Sequence, residues 1–141
     1  MARTRVETRA RARALQALYA WDMRGGDGTT LERVAMQVWD DLSIAPAERL
    51  IAGPIVRRVA GRQRELDIEL AAVTTNWRME RIGAVERCVL RLAAAELSIG
   101  ETPPRVVIQE AVTLAERYGS APSASFVNGV LDALARRMGR L

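Results

Sequence analysis

Apolar residues recur at helical spacing along almost the whole chain, and nowhere do they alternate with a two-residue period. Ala14, Ala17, Leu18 and Trp21 stand at i, i+3, i+4 and i+7, as do Val85, Cys88, Val89 and Leu92, and Ile108, Ala111, Val112 and Ala115. Each set marks one buried helix face. Val127, Val130, Leu131, Leu134 and Met138 form the last such stripe. An all-α fold follows.

Breakers between the stripes set the boundaries. The first helix runs from about Val6 to Met23 and stops at Gly25-Gly26-Asp27-Gly28, whose residues tolerate positive φ. Thr30 suits the N-cap of a helix over Leu31–Trp39, and Pro46 suits the first turn of one reaching about Leu66. Gly53-Pro54 predicts a kink inside it. Asp67–Thr74 reads as a further short helix, and Asn76–Gly83 as a link anchored by Trp77. A helix over Ala84–Ile99 stops at Gly100. Another follows Pro103-Pro104 and ends at Tyr118 with Gly119 as cap, and Ser123 caps the last. That is about seven helices.

The 141 residues suit one domain, which at this size buries roughly two-thirds of the extended chain's surface. Residues 1–8 form a basic end free to fray. No apolar run is long enough for a spanning helix, and Glu7, Gln16 and Asp22 interrupt any signal-like stretch. A soluble cytoplasmic protein with no membrane role is expected, and the lone Cys88 suits a reducing compartment. On its apolar stripe Cys88 reads as a small core residue, and Trp21, Trp39 and Trp77 as core anchors.

The missing residue types argue against catalysis. The chain has no histidine, and all 21 of its basic residues are arginine. Ser-His and Cys-His pairs, Schiff bases and lysine-bearing phosphate loops are therefore excluded. One cysteine without histidine builds no structural zinc site. A non-enzyme without cofactor or metal is expected.

Charge is concentrated at one end. The net charge is +4, and residues 1–13 carry five arginines against Glu7, leaving 16 basic and 16 acidic residues beyond them. Arg5, Arg9 and Arg13 fall four apart on one helix face, with Arg11 between. Like charges at that spacing cost an isolated helix about 0.2–0.5 kcal/mol per pair, so an anion is the natural partner. Arginine's planar fork suits phosphate and stacks on bases. A solvated terminus explains the charge equally well. Phe126, the single phenylalanine, stands one position off the last apolar stripe; it either packs between helices or stacks on an unpaired base. Asn128-Gly129 joins two poor helix formers inside a helix, which close helix approach at Gly129 would explain. Glu80, Arg81, Glu86, Arg87 and Arg91 read as a solvated face or a docking surface.

Three stretches taken together resemble the NusB family: Arg9–Tyr19, Asn76–Leu97, and Pro103–Gly119 followed by Phe126–Leu131. In this order they cover most of residues 9–131. The resemblance implies two small helical bundles set against each other. It implies transcription antitermination through the single-stranded boxA element of nascent RNA, with NusE, a small-ribosomal-subunit protein, as partner. Read-through in ribosomal RNA operons within the elongation complex is the implied role. By position, Arg5, Arg9, Arg11, Arg13, Arg91, Tyr118, Phe126 and Asn128 would face or border RNA, and Tyr19, Glu80 and Glu86 would meet NusE. Ser125 stands where many relatives carry a basic residue, and Gln109, Glu116-Arg117 and Ser120-Ala121-Pro122 depart from the usual pattern. These changes thin the positive charge near Phe126. A helical adaptor or dimerisation module with weak or no RNA binding is the alternative, and a homodimer stays open. The NusB-like domain of an RNA cytosine methyltransferase would need a strand-rich cofactor domain. A helix-turn-helix DNA binder would carry its charge on an internal helix.

Overall fold

Periodicity and breakers together place most helix ends to within a residue or two. The computed structural model describes residues 5–26, 30–74 and 82–141, and within them the chain forms six helices and no strand. These are α1 (Arg5–Met23), α2 (Leu31–Asp41), α3 (Pro46–Val73), α4 (Ala84–Ile99), α5 (Pro104–Tyr118) and α6 (Ala121–Arg137). Gly25 and Gly26 end α1 at φ 103° and 67°, and Gly100 ends α4 at φ 81°, conformations that a Cβ disfavours. The 1–8 end expected to fray is helical from Arg5 onward; residues 1–4, the side chain of Arg5, and the link with Trp77 and Glu80 lie outside the described residues.

Three expectations change. The third and fourth helices are one element, which removes one helix from the expected seven. Its only non-helical residue is Arg62 (φ −131°, ψ 22°), after Gly61, while Pro54 sits inside regular helix. Proline there frees the carbonyl of Leu50. Leu50 is 78% exposed and Pro54 is exposed too, so the freed carbonyl lies on the solvent side of the helix, where losing its bond costs least. The last helix starts three residues earlier than expected: the Ser120 hydroxyl, not Ser123, accepts the capping bond, from the Ser123 amide at 3.2 Å.

Helices α1, α2 and α3 pack on one another, and α4, α5 and α6 do likewise, which matches the expected pair of bundles. Helix α4 joins them. Every residue from Cys88 to Leu97 is buried, because α1, α3, α5 and α6 all pack against this helix. Arginines tie several helix ends. Arg49 donates to the carbonyls of Trp39 and Ile44 after α2, and Arg140 to that of Leu97 in the last turn of α4, where orphan carbonyls need donors. Trp21 and Trp39 are buried as expected, and the Trp39 indole donates to the Arg13 carbonyl at 3.0 Å. No helix of the described residues is long and apolar enough to cross a membrane.

Candidate nucleic-acid interface

The arginines of α1 divide by the direction in which the helix turns them. Arg9 and Arg13 lean toward the start of α3, where both reach Glu48, at 3.2 and 2.9 Å. Their side chains stay 51% and 29% exposed. The hydrogen bond from Arg13, then that from Arg9, holds the Glu48 carboxyl below its ordinary range despite burial. One carboxylate thus offsets part of the stripe's charge without removing its arginines from solvent.

Arg11 points the other way. It is buried and grips Glu96 of α4 through two bonds, at 2.7 and 3.0 Å, and Glu110 of α5 at 3.0 Å. Arg91 is likewise buried. It holds Asp67 of α3 at 2.9 and 3.0 Å and reaches Asp22 of α1 at 3.2 Å, with its guanidinium 5.4 Å from the Trp21 ring centre, within cation–π range. Arg87 completes the cluster with two bonds to Asp22, at 3.0 and 2.6 Å. Burial acts to raise the Asp22 pKa, but the bonds and charges of Arg87 and Arg91 prevail and hold it below its ordinary range. Arg11 and Arg91 are therefore internal fasteners, where the expectation had them facing RNA. Arg87 and Arg91 do not form a solvated face either. Spacing gave no warning of this, since only the fold opposes these arginines to Asp22, Asp67, Glu96 and Glu110. Cys88, beside the cluster, is fully buried, and burial pushes its thiol up to about 12, so it carries no thiolate at neutral pH.

The aromatic candidates separate. Tyr118 is 43% exposed and Tyr19 is 42% exposed. The two line one shallow, mainly apolar cleft of about 340 Å³ with Leu15, Gln16, Ala20 and Val85. A residue assigned to RNA and one assigned to the protein partner thus share a surface. Glu86 follows Val85 and accepts a hydrogen bond from the Ser123 hydroxyl, which ties α4 to the start of α6. Phe126, one turn beyond Ser123, is half-buried against the core. It lies on the edge of α6 that carries Arg137, which pairs with Glu69 of α3. Asn128 is exposed on the opposite edge, lining a cleft of about 410 Å³ with Arg105 and Gln109 of α5. Helices α1 and α6 share at most a slight contact, so the two bundles' own packing, not a direct α1–α6 seam, sets the distance between the arginine stripe and Phe126.

Close helix approach does not explain Gly129. It is exposed, and a Cβ there would meet nothing within 4 Å. Gly129→Ala is expected to raise stability by about 0.5–1 kcal/mol through helix propensity alone, read as a higher urea midpoint at unchanged m. A lower midpoint would mean that a neighbour fills that space.

Comparison with known proteins agrees with this architecture. The family described as NusB family matches residues 8–136. The transcription antitermination protein NusB of Anaeromyxobacter dehalogenans is 46% identical over 131 residues, covering 91% of this chain and 89% of its own. The solved T. maritima NusB superposes with a TM-score of 0.83 at 29% identity, over 96% of this chain and 93% of that one. A crystal structure of antitermination factors NusB and NusE in complex with dsRNA also superposes at 0.83 and 29% identity, over 96% and 99% of the two chains. Helix order, a central α4 and a family match over nearly the full length point the same way: this chain belongs to the NusB family.

Proposed function

We propose that this protein is a transcription antitermination factor that binds boxA-type single-stranded RNA together with NusE and promotes read-through in ribosomal RNA operons. It works by bridging, as a cytoplasmic component of the elongation complex, and catalyses nothing. The carrying observation is the Tyr19–Tyr118 cleft. It lies ten residues along α1 from Arg9, about 15 Å at 1.5 Å per residue, and leads to the α5–α6 junction. One unpaired strand placed on Arg9 and Arg13 runs along α1 to an exposed aromatic ring, where bases stack. NusE meets the neighbouring Tyr19 and Glu86 side. The solved relative with NusE and RNA supports both partners.

The test is a titration of single-stranded boxA RNA with and without NusE at two salt concentrations. Tighter binding with NusE and a steep salt dependence are expected; neither RNA binding nor a NusE effect would refute the reading. Arg9→Ala should flatten the slope of log K against log salt by about 0.7, the value of one phosphate contact on a single strand. An unchanged slope removes Arg9 from the interface.

A second reading, a helical adaptor or homodimer with weak RNA binding, is favoured by the carboxylates that engage Arg9, Arg11, Arg13 and Arg91. NusE binding that is indifferent to RNA and salt would select it.

A further inference from the structure

Carboxylates engage arginines over most of the described molecule, from Arg9 and Arg13 on Glu48 to Arg136 on Asp132 and Arg137 on Glu69. The middle of α3 is the exception. Arg57, Arg58, Arg62 and Arg64 stand within eight residues, and none meets a carboxylate or any other hydrogen-bond acceptor among the described residues. Arg33, Arg105 and Arg117 also lack a carboxylate, but Arg33 is the one arginine of α2, and Arg105 and Arg117 stand twelve residues apart at opposite ends of α5. Arg57, Arg62 and Arg64 are exposed. Arg64 follows just beyond the bend at Arg62, and Arg57 and Gly61 fall at i and i+4 and so share one face. It is the face turned away from Glu48 and α1, since Arg57 lies nine residues, two and a half turns, beyond Glu48.

Two further features distinguish this face from an ordinary solvated one. Gly61 costs a helix interior roughly 0.5–1 kcal/mol relative to alanine, yet it is exposed and a Cβ there would meet nothing within 4 Å. Packing does not require it. The backbone departs from the helix at the next residue, Arg62, so arginines stand on both sides of a bend. A bare backbone flanked by unpaired forks is complementary to a chain of phosphates, because arginine binds phosphate bidentately and glycine lets the polymer approach closely.

We infer that the outer face of α3 around the bend, through Arg57 and Arg64 with Arg58 and Arg62 flanking them, is a second, sequence-independent anchor for the phosphate backbone of RNA that continues beyond the element held at α1. The inference rests on the RNA-binding reading and extends it to a separate surface. Arg57 lies about 14 Å along α3 from Glu48 and the arginines it holds, so a short element seated on α1 does not reach it and a longer transcript does.

The experiment compares boxA RNA alone with boxA RNA carrying an oligouridine extension of about 20 nucleotides, each titrated at several salt concentrations. Arg57→Gln with Arg64→Gln is the variant, since both side chains are exposed and glutamine keeps helix propensity. For the extended RNA the salt slope is expected to fall by about 1.4, two contacts at about 0.7 each. Between 50 and 200 mM salt the variant then loses about sevenfold less affinity than the unaltered protein. Short boxA RNA keeps its slope, and Arg57→Lys with Arg64→Lys restores the steeper dependence. An unchanged slope on the extended RNA, with boxA still bound, overturns the anchor and leaves the boxA reading intact. Weakened NusE binding at an unchanged RNA slope assigns the face to a protein and also overturns it. If the unaltered protein binds neither RNA, both readings fall.

Discussion

Arg11→Ala is expected to lower the unfolding free energy by roughly 3–5 kcal/mol, the usual effect of removing one member of a buried ion cluster. Glu96 and Glu110 are only 7% and 6% exposed in their side chains, so without Arg11 two buried carboxylates lose the guanidinium they share. The Thr8 hydroxyl, 3.1 Å from Glu110, is a neutral donor and does not replace it. Against a total stability of about 5–15 kcal/mol for a domain, the variant is unfolded or close to it at 37 °C. Arg9→Ala breaks an exposed pair and should change stability by no more than about 1 kcal/mol. Urea unfolding followed by circular dichroism separates the two. A loss at Arg11 as small as that at Arg9 would mean that Arg11 is solvated and open to phosphate, against its placement in the core.

The second large effect is expected at Asp22, which alone receives both Arg87 and Arg91. Asp22→Ala takes the shared acceptor from two guanidiniums whose side chains are 16% and 9% exposed. Arg91 keeps Asp67 and Arg87 keeps the Ile82 carbonyl, so the loss should be smaller than at Arg11, about 2–4 kcal/mol on the scale of broken buried pairs. The same site sets a pH dependence. The folded Asp22 and Glu48 carboxyls ionise below their ordinary range, so the unfolded chain binds more protons there and acid favours unfolding. Their contribution is fully present above the ordinary carboxylate pKa, near ~4, and is lost as pH falls through the lower folded values. Asp22→Asn should remove part of that acid dependence while leaving the stability profile between pH 6 and 8 flat. An acid limb identical to that of the unaltered protein would show that Asp22 is not held down by its arginines.

Much of the fold is legible without coordinates because helix formation is local. The three-and-four spacing of apolar residues and the breakers at Gly25-Gly26, Gly100 and Pro103-Pro104 act over a turn or two of chain. They therefore mark α1, α2, α4 and α5 directly. Pro54 misleads for a reason that is not local: the cost of the carbonyl bond it removes depends on where that carbonyl lies, and here Leu50 and Pro54 are on the exposed side. The expected break near Leu66 falls instead at Arg62, and beyond it Leu66 and Leu70 are buried along the same stretch of helix.

The candidate interface was legible in type but not in place. Five arginines near one end and a helical period are enough to put Arg9 and Arg13 on a common face, and both remain partly exposed. The period also turns Arg11 away from them, but it does not say that Glu96 and Glu110 wait on that side. Arg91 reads as surface charge until Asp67 and Asp22, 24 and 69 residues away in the chain, close on it. The arginines of α3 are the converse case. Their charge is largely balanced in a count along the chain by Glu65, Asp67 and Glu69, and it becomes a local excess because Asp67 and Glu69 are committed to Arg91 and Arg137.

By itself, then, the sequence determined that the chain is helical, where most helices begin and end, and that it carries no histidine- or lysine-based chemistry, because those follow from residue type and short-range spacing. Which arginines serve the core and which face solvent was decided only by tertiary structure. Ion pairing acts through space between residues far apart in the chain, and burial multiplies its consequences.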